Sequence, residues 1–320
     1  MNVALLIQHN DKLYAPLVQE GITWSTDRKG APGQLTFKVV KDDIIDFTEG
    51  DAVRLRVDGI EVFYGFVFTK KRSKEPIIDV TAYDQLRYLK NKDTCVYENK
   101  TVGEFIKMIA EDYHLQTGVI EDTGYKIESR TEINTSLFDM IQTALDMTLT
   151  NRGKMFVLYD DFGKMTLKDI ENMKVDVLID ETTAENLDYT SSIDSNTYNQ
   201  VKLTYDNEKT GTREKYVAKH SENINQWGLL QYYEQLNEGE NGKAKADALL
   251  SLYNQKTRNL SIKNAFGDFR VRAGCLVPVI LNLGDIILQS YMLVEKCKHE
   301  IKNDMHLMDL TLRGGGEFIA

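Results

Sequence analysis

Alternating apolar and polar residues in the first 90 positions predict β-strands. In the stretch GDAVRLRVDGIEVFYGFV, every second residue from Val53 to Val57 is apolar, and arginines lie between them. Asp58-Gly59 is typical of a two-residue hairpin turn, because both positions favour positive φ. The returning strand would place four residues on one face: Val62, Tyr64, Phe66 and Phe68. Five or six such strands in residues 1–90 predict a small closed barrel, since closure removes exposed strand edges.

The pattern changes to a helical period between residues 91 and 184. Thr101 and Glu104 form a capping box at the start of TVGEFIKMIAEDY. A second helix, in TSLFDMIQTALDMTLTNRGK, is predicted to end at Gly153. Asp161-Phe162-Gly163 predicts a hairpin turn after it. The apolar stripes of the two helices are Val102, Phe105, Ile106, Ile109 and Tyr113, then Leu137, Ile141, Ala144, Leu145 and Thr148.

Strand patterns return in residues 185–320. NQVKLTYD and TREKYVAKH are predicted to pair across NEKTGT, and a helix is predicted near 241–257, with its inward face formed by Ala244, Ala248, Leu249 and Leu252. At least four more strands follow. The predicted fold class is α+β, mainly β: two small antiparallel β-barrel domains, an inserted small α+β domain, and one helix within the second β module. The predicted domains are 1–90, 91–184 and 185–320.

Composition narrows the class of protein. The chain has 320 residues, of which 42% are hydrophobic and 28% charged, which is typical of a globular protein with a substantial core. The net charge of −10 argues against a broad basic face for nucleic acid. The apolar run Val3–Ile7 predicts a first strand rather than a signal peptide, and no run approaches the roughly 18 apolar residues of a membrane span.

Candidate catalytic groups are few. The sequence contains no P-loop, GxGxxG, GxSxG or HExxH motif, and the glycine-rich stretch Arg313–Ala320 follows the last strand and is interpreted as a flexible tail. A glycosidase needs two carboxylates at a fixed separation. Three acids at turns are candidates for that role: Asp84, Asp160 and Asp161. With 49 acidic residues in the chain, a structural role for these three is the favoured interpretation.

Histidine and cysteine spacing does not predict a metal site. If Asn303 and Asp304 form the last turn, His299 faces Met308 and lies diagonal to His306 on one strand face. Cys297 shares that face, but neighbours along one strand form a poor tetrahedron. The three cysteines, Cys95, Cys275 and Cys297, lie in or beside apolar strand patterns and are predicted to be reduced and inert. No catalytic, metal-binding or cofactor-binding residue is therefore predicted, and no cofactor.

Aromatic residues leave a carbohydrate site as an alternative. Trp24, Tyr232 and Tyr233 could stack on sugars, although aromatic residues on strands are mostly half-buried packing residues.

The two β patterns together resemble a known family. GDAVRLRVDGIEVFYGFV and SYMLVEKCKHEIKNDMHLMDLTLRG resemble the hub proteins of contractile phage tails, the late-control D proteins and their XkdQ/YqbQ-type relatives. The resemblance covers nearly the whole chain in order and length, without a wall-cleaving or LysM segment. It implies a homotrimer in which two barrels per subunit form a ring that joins a sixfold tail tube to a threefold spike.

Further expectations follow from this resemblance. The partners would be the tail tube, the spike and other baseplate proteins, with DNA only as passing cargo. The particle would be assembled in the bacterial cytoplasm, as an infectious phage or a tailocin-type bacteriocin, and the chain would not be an enzyme. Two alternatives stay open at this point: a cell-wall glycosidase and a carbohydrate-binding tail module.

Overall fold

The computed structural model describes residues 1–183, 185–194, 196–207, 211–236, 241–284 and 286–314. It confirms an α+β, mainly β chain. The first β module contains seven strands: β1 (Val3–His9), β2 (Lys12–Tyr14), β3 (Val18–Asp27), β4 (Gln34–Val40), β5 (Ala52–Val57), β6 (Ile60–Arg72) and β7 (Ile77–Tyr83). A 3₁₀ helix, Gln85–Lys90, follows it.

The β5–β6 hairpin forms as predicted at its turn but not along its return strand. Asp58 and Gly59 have φ values of 49° and 83°, and Val57 pairs with Ile60. The pairing then shifts by one residue, so that Leu55 faces Phe63 and Arg56 faces Glu61. Val62 therefore turns into the core, and the prediction that it shares a face with the aromatic residues is wrong. Half-buried side chains form the opposite face: Tyr64, Phe66 and Phe68.

In the α+β region, the predicted start of the first helix and the predicted end of the second helix are confirmed. Thr101 Oγ1 accepts a hydrogen bond from the Glu104 amide, and the Glu104 carboxylate accepts one from the Thr101 amide. Gly153 ends the second helix with φ 67°. The elements are β8 (Lys92–Lys100), α1 (Val102–Asp112), β9 (Thr117–Ile120), β10 (Ile127–Ser136), α2 (Leu137–Arg152), β11 (Phe156–Asp160), β12 (Met165–Asp169) and a 3₁₀ helix, Ile170–Met173.

The second β module is interrupted by more than the one predicted helix. Its own strands are β13 (Asn186–Ser192), β17 (Thr257–Phe266), β18 (Leu276–Asn282), β19 (Ile287–Lys302) and β20 (Met305–Gly314). A separate three-stranded sheet and two helices lie between β13 and β17 in sequence. They are β14 (Gln200–Asn207), β15 (Thr212–Lys219), α3 (Ser221–Trp227), β16 (Gln231–Gln235) and α4 (Gly242–Tyr253).

This insertion has its own small core. The predicted pairing of β14 with β15 is confirmed, although residues 208–210 of the connecting turn lie outside the described residues. Leu249 of α4 is buried as predicted. Ala244 is exposed instead, so the prediction that it faces inward is wrong. Ala246 takes the inward position because β14 and β15 pack on that side of α4.

The two β modules share one sheet. β3 of the first module pairs antiparallel with β19 of the second, and we call this pairing the module seam. The continuous path runs from β13 through β19 and β3 to β2, and β18 pairs with β19 beside it. Ile301 of β19 is part of the first module's core. The seam therefore fixes the modules to each other by both backbone hydrogen bonds and apolar packing.

Residues 174–180 connect the α+β region to the second module. Lys174 and Ile179 form parallel bridges with Leu276 and Val279. The predicted domain limits at 90 and 184 stay predictions. Residues 315–320 of the predicted tail lie outside the described residues, whereas Arg313 and Gly314 belong to β20. Among the described residues, no helix combines the length and apolar character needed to cross a membrane.

Candidate functional site at the junction of the modules

The structure brings two of the three candidate acids together. Asp84 caps the 3₁₀ helix that follows β7. One of its carboxyl oxygens, Oδ1, accepts from the Leu86 amide at 3.0 Å, and Oδ2 accepts from the Gly33 amide at 2.7 Å. Asp160 ends β11 and accepts from the Gly163 amide at 2.7 Å. Asp84 is only 3% exposed and Asp160 only 6%, whereas Asp161 is exposed to solvent.

Burial changes the protonation of this carboxyl pair. Burial raises the pKa of Asp84 well above its ordinary value, and the charge of Asp160 adds to the increase. Burial also raises the pKa of Asp160 to about 6, against opposition from the Gly163 hydrogen bond and the charge of Arg272. Neither acid lines the large groove described below. Because both carboxyls are almost fully buried, this pair does not present two exposed carboxylates to a substrate, as a glycosidase requires.

Arg272 completes this arrangement, and sequence reasoning missed it. It lies in the loop before β18, with its guanidinium 4.1 Å from the ring centre of Tyr159 and 5.8 Å from that of Trp24. Its charge opposes the increase in pKa of both Asp84 and Asp160. No local motif marks this residue, because its acidic neighbours lie more than 100 positions away in the sequence.

The histidine geometry predicted from the last hairpin is confirmed. His299 pairs with Met308 and Ile301 with His306, which places the two imidazoles diagonally. His299 Nδ1 lies 2.9 Å from His306 Nε2. The rings are enclosed by aromatic side chains: Trp24 stacks on His299 with ring centres 4.9 Å apart, and Phe269 stacks on His306 at 3.8 Å.

The hydrogen bonds determine which nitrogens carry protons. His299 Nε2 lies 2.9 Å from the Val271 carbonyl, which can only accept, so Nε2 is the protonated nitrogen. His299 Nδ1 then accepts from His306 Nε2–H. Burial, followed by the proximity of His306, lowers the pKa of His299 to about 3. Burial lowers the pKa of His306 to about 4. Both rings are therefore neutral at pH 7.

The histidine pair is interpreted as a structural group. Cys297 Sγ lies 3.0 Å from His299 Nε2, but that nitrogen already donates to Val271. Among the residues that the structure describes, no group of three or more His, Cys, Asp or Glu side chains is arranged to hold a metal ion. Cys275 and Cys297 are buried, and Cys95 is half-buried. Burial raises the pKa of all three thiols, which makes them poor nucleophiles.

The candidate sugar-binding aromatics do not form one surface. Trp24 is buried in the first module's core. Tyr232 packs against Tyr198 and Tyr253. Only Tyr233, at 54%, is an exposed member of the predicted set. These positions do not provide a stacking platform.

A groove of about 1490 Å³ lies between α2, α4 and the end of β20. Two of its lining residues, Arg28 and Arg313, each place Nε 2.7 Å from the Glu295 carboxylate. Burial alone would raise the pKa of Glu295, but the hydrogen bonds and charge of Arg28 and the charge of Arg313 hold it below its ordinary value. Sequence reasoning missed this groove, because Arg28 and Glu295 are 267 positions apart.

The fold is one already seen in a solved tail protein. The structure matches the 43 kDa tail protein of prophage MuSo2 from Shewanella oneidensis with a TM-score of 0.70. The match covers 97% of this chain and 98% of that chain, at 14% sequence identity. This likeness defines the fold class: mainly β, with the same architecture as that tail protein.

Sequence similarity then defines the family. The chain belongs to the YQBQ-like family, whose model matches residues 22–313. It is 31% identical over 307 residues to the uncharacterized protein YqbQ of Bacillus subtilis (strain 168), covering 92% of each chain. It is 29% identical over 312 residues to XkdQ of the phage-like element PBSX in the same organism, covering 94% of each chain.

Proposed function

We propose that this chain is a structural subunit of the baseplate hub in a contractile phage tail or phage-like particle. The tail protein of prophage MuSo2 has the same fold as this chain. XkdQ of the PBSX element is similar to it in sequence, with 29% identity. The hub would be a homotrimer that joins a sixfold tail tube to a threefold spike. The proposal assigns the chain no enzymatic activity and no cofactor.

The module seam is the observation that carries this proposal. It joins two β modules within one sheet, which supports a ring in which each subunit would supply two units. The path of paired strands ends at β2 in the first module and at β13 in the second. If the second module of one subunit met the first module of the next, three subunits would close a ring of six modules.

The charge of the chain suits a ring with an open axis. A net charge of −10 would repel the phosphates of passing DNA rather than bind them. The remaining partners in this proposal are the tube protein, the spike protein and neighbouring baseplate proteins. Assembly would take place in the bacterial cytoplasm before the particle is released.

Native mass spectrometry and electron microscopy test the ring. We expect a species of three chains, each of 36.6 kDa, and ring-shaped particles, either alone or after mixing with the tube and spike proteins. A chain that stays monomeric at high concentration with both partners present would contradict the proposal.

A matched pair of variants locates the contact. Leu13 on β2 and Val217 on β15 are each 54% exposed. Leu13→Lys places a charge at the end strand of the first module and should weaken trimer formation. Val217→Lys changes the insertion instead and should leave the trimer intact. A trimer that Leu13→Lys leaves intact would exclude β2 as a contact between subunits.

A further inference from the structure

Three parts of the chain meet at one buried group of charges, which we call the carboxyl joint: Asp84, Asp160 and Arg272. Asp84 belongs to the end of the first module and is held there by the Gly33 amide. Asp160 comes from the β11–β12 hairpin of the α+β region, and Arg272 from the second module. The charges of Asp160 and Arg272 both act on Asp84. Separating these three parts of the chain would expose both acids to water.

The charges of this joint do not balance unless a proton is bound. The charge of one guanidinium acts on two carboxyls, and both carboxyls are almost fully buried. Asp160 Oδ2 and Arg272 Nε are buried without a hydrogen-bond partner within the described part of the chain. A second buried negative charge is strongly unfavourable in such surroundings. One protonated carboxyl, one carboxylate and one guanidinium together give a neutral group.

The other titratable neighbours do not supply the missing charge. Arg272 also acts on Tyr159, Cys275, Cys297 and His299. Burial raises the pKa of the tyrosine and both thiols and lowers that of the histidine, so all four are neutral at pH 7. Asp161 cannot neutralise the joint either, because its charge raises the pKa of Asp160. Lys168 acts on Tyr159 and Cys275, but the other charges that act on the two carboxyls are those of Asp161 and Arg272. A proton is therefore the species that neutralises the joint.

We propose that the carboxyl joint binds a proton when the three parts of the chain are packed together and releases it when they separate. Packing then weakens as the pH rises, because separated carboxyls ionise freely. For each proton released, the equilibrium constant for opening increases up to tenfold per pH unit. This property belongs to the single chain and does not depend on the proposed ring.

Hydrogen–deuterium exchange at pH 5, 6, 7 and 8, corrected for intrinsic exchange, tests the joint. Peptides containing Gly33, Leu86 and Gly163 report on it directly, because these amides donate to the two carboxyls. Their protection should fall steadily as the pH rises, whereas peptides from β14 and β15 should show no such trend. Protection that is independent of pH at all three sites would overturn the proposal.

Two variants on the same hairpin sharpen the test. Asp160→Asn keeps the oxygen that accepts from Gly163 and places its amide where Oδ2 has no partner. It should remove at least half of the fall in protection between pH 5 and 7. Asp161→Asn changes the exposed neighbouring acid and should behave as wild type. If both variants behave as wild type, the joint does not control the opening.

A measurement on the wild-type chain keeps the proposal testable should Asp160→Asn fail to fold. The carbon-13 shift of the Asp160 carboxyl should titrate with a midpoint near 6. Midpoints near 3.8, the ordinary value for aspartate, at both Asp160 and Asp84 would overturn the proposal, because neither carboxyl would then bind an extra proton in the folded chain.

Discussion

The carboxyl joint and the histidine pair become neutral in opposite ways. At the joint, burial raises the pKa of Asp160 to about 6, so the folded chain holds a proton that an exposed acid would lose. At the module seam, burial lowers the pKa of His299 to about 3 and of His306 to about 4, so the folded chain excludes protons that exposed imidazoles would bind. Burial favours the neutral form in both, and residue type decides the direction of the shift.

The two groups therefore give opposite pH dependences of stability. Between about pH 6.5 and 3 the unfolded chain binds more protons on these two histidines than the folded chain does, so the seam loses stability as the pH falls. Between pH 3.8 and about 6 the folded chain binds more protons on Asp160, so the joint loses stability as the pH rises. Where the windows overlap the effects oppose each other, and variants are needed to separate them.

The largest expected effect comes from removing the Trp24 ring, which packs at the module seam. Trp24 is 5% exposed in the first module's core and stacks on His299 of the second. Trp24→Ala should lower the free energy of unfolding by about 3–5 kcal/mol, measured by denaturant titration at pH 7. Phe266→Ala, which removes a ring that is 72% exposed, should stay within about 0.5 kcal/mol of wild type. Similar losses of unfolding free energy in both variants would mean that Trp24 does not stabilise the seam more than an exposed ring does.

Asp160→Asn should change the pH dependence of stability that comes from the carboxyl joint. The variant cannot ionise, so it does not lose stability as the pH rises through the Asp160 titration. Its unfolding free energy minus that of wild type should increase by about 2 kcal/mol from pH 4 to pH 7. Denaturant titrations of both proteins across this range check the change. A constant difference would contradict a proton bound at Asp160.

The smallest expected effect is on the pH dependence of stability that comes from the histidine pair. His306→Asn removes a group whose unfolded form binds a proton as the pH falls. Its loss of stability between pH 6.5 and 4 should be smaller than that of wild type by about 1–2 kcal/mol, after allowance for partial contact of His306 with solvent. His114→Asn is the control, because His114 is exposed and asparagine tolerates its positive φ of 54°. If the unfolding free energies of wild type and His306→Asn fell equally as the pH decreased, the histidine pair would not be the cause of the loss of stability in acid.

Local features of the fold were predictable from the sequence. The Asp58-Gly59 turn, the capping box at Thr101 and the helix end at Gly153 each depend on residues within a few positions of one another. The diagonal contact of His299 and His306 was also predictable, because a two-residue turn fixes the register of both strands.

Other local features were not predictable, because packing overrides the pattern. A one-residue bulge moves Val62 into the core and leaves Tyr64 on the outer face. The apolar positions of α4 fit more than one face, and contact with β14 and β15 selects the face with Ala246. Neither a bulge nor the choice among similar helix faces leaves a clear signal in a single sequence.

The sequence by itself determined many of the strands, the helices α1, α2 and α4 and several turns, since these follow from side-chain periodicity and from residues that favour particular backbone angles. It did not reveal α3 or β16. Only the tertiary structure decided that β3 pairs with β19, that Asp84 meets Asp160 and Arg272, and that Arg28 meets Glu295. These contacts join positions 76 to more than 260 residues apart in the chain numbering. Alternating strands can pair with many partners at similar energy, and burial of the whole core selects among them.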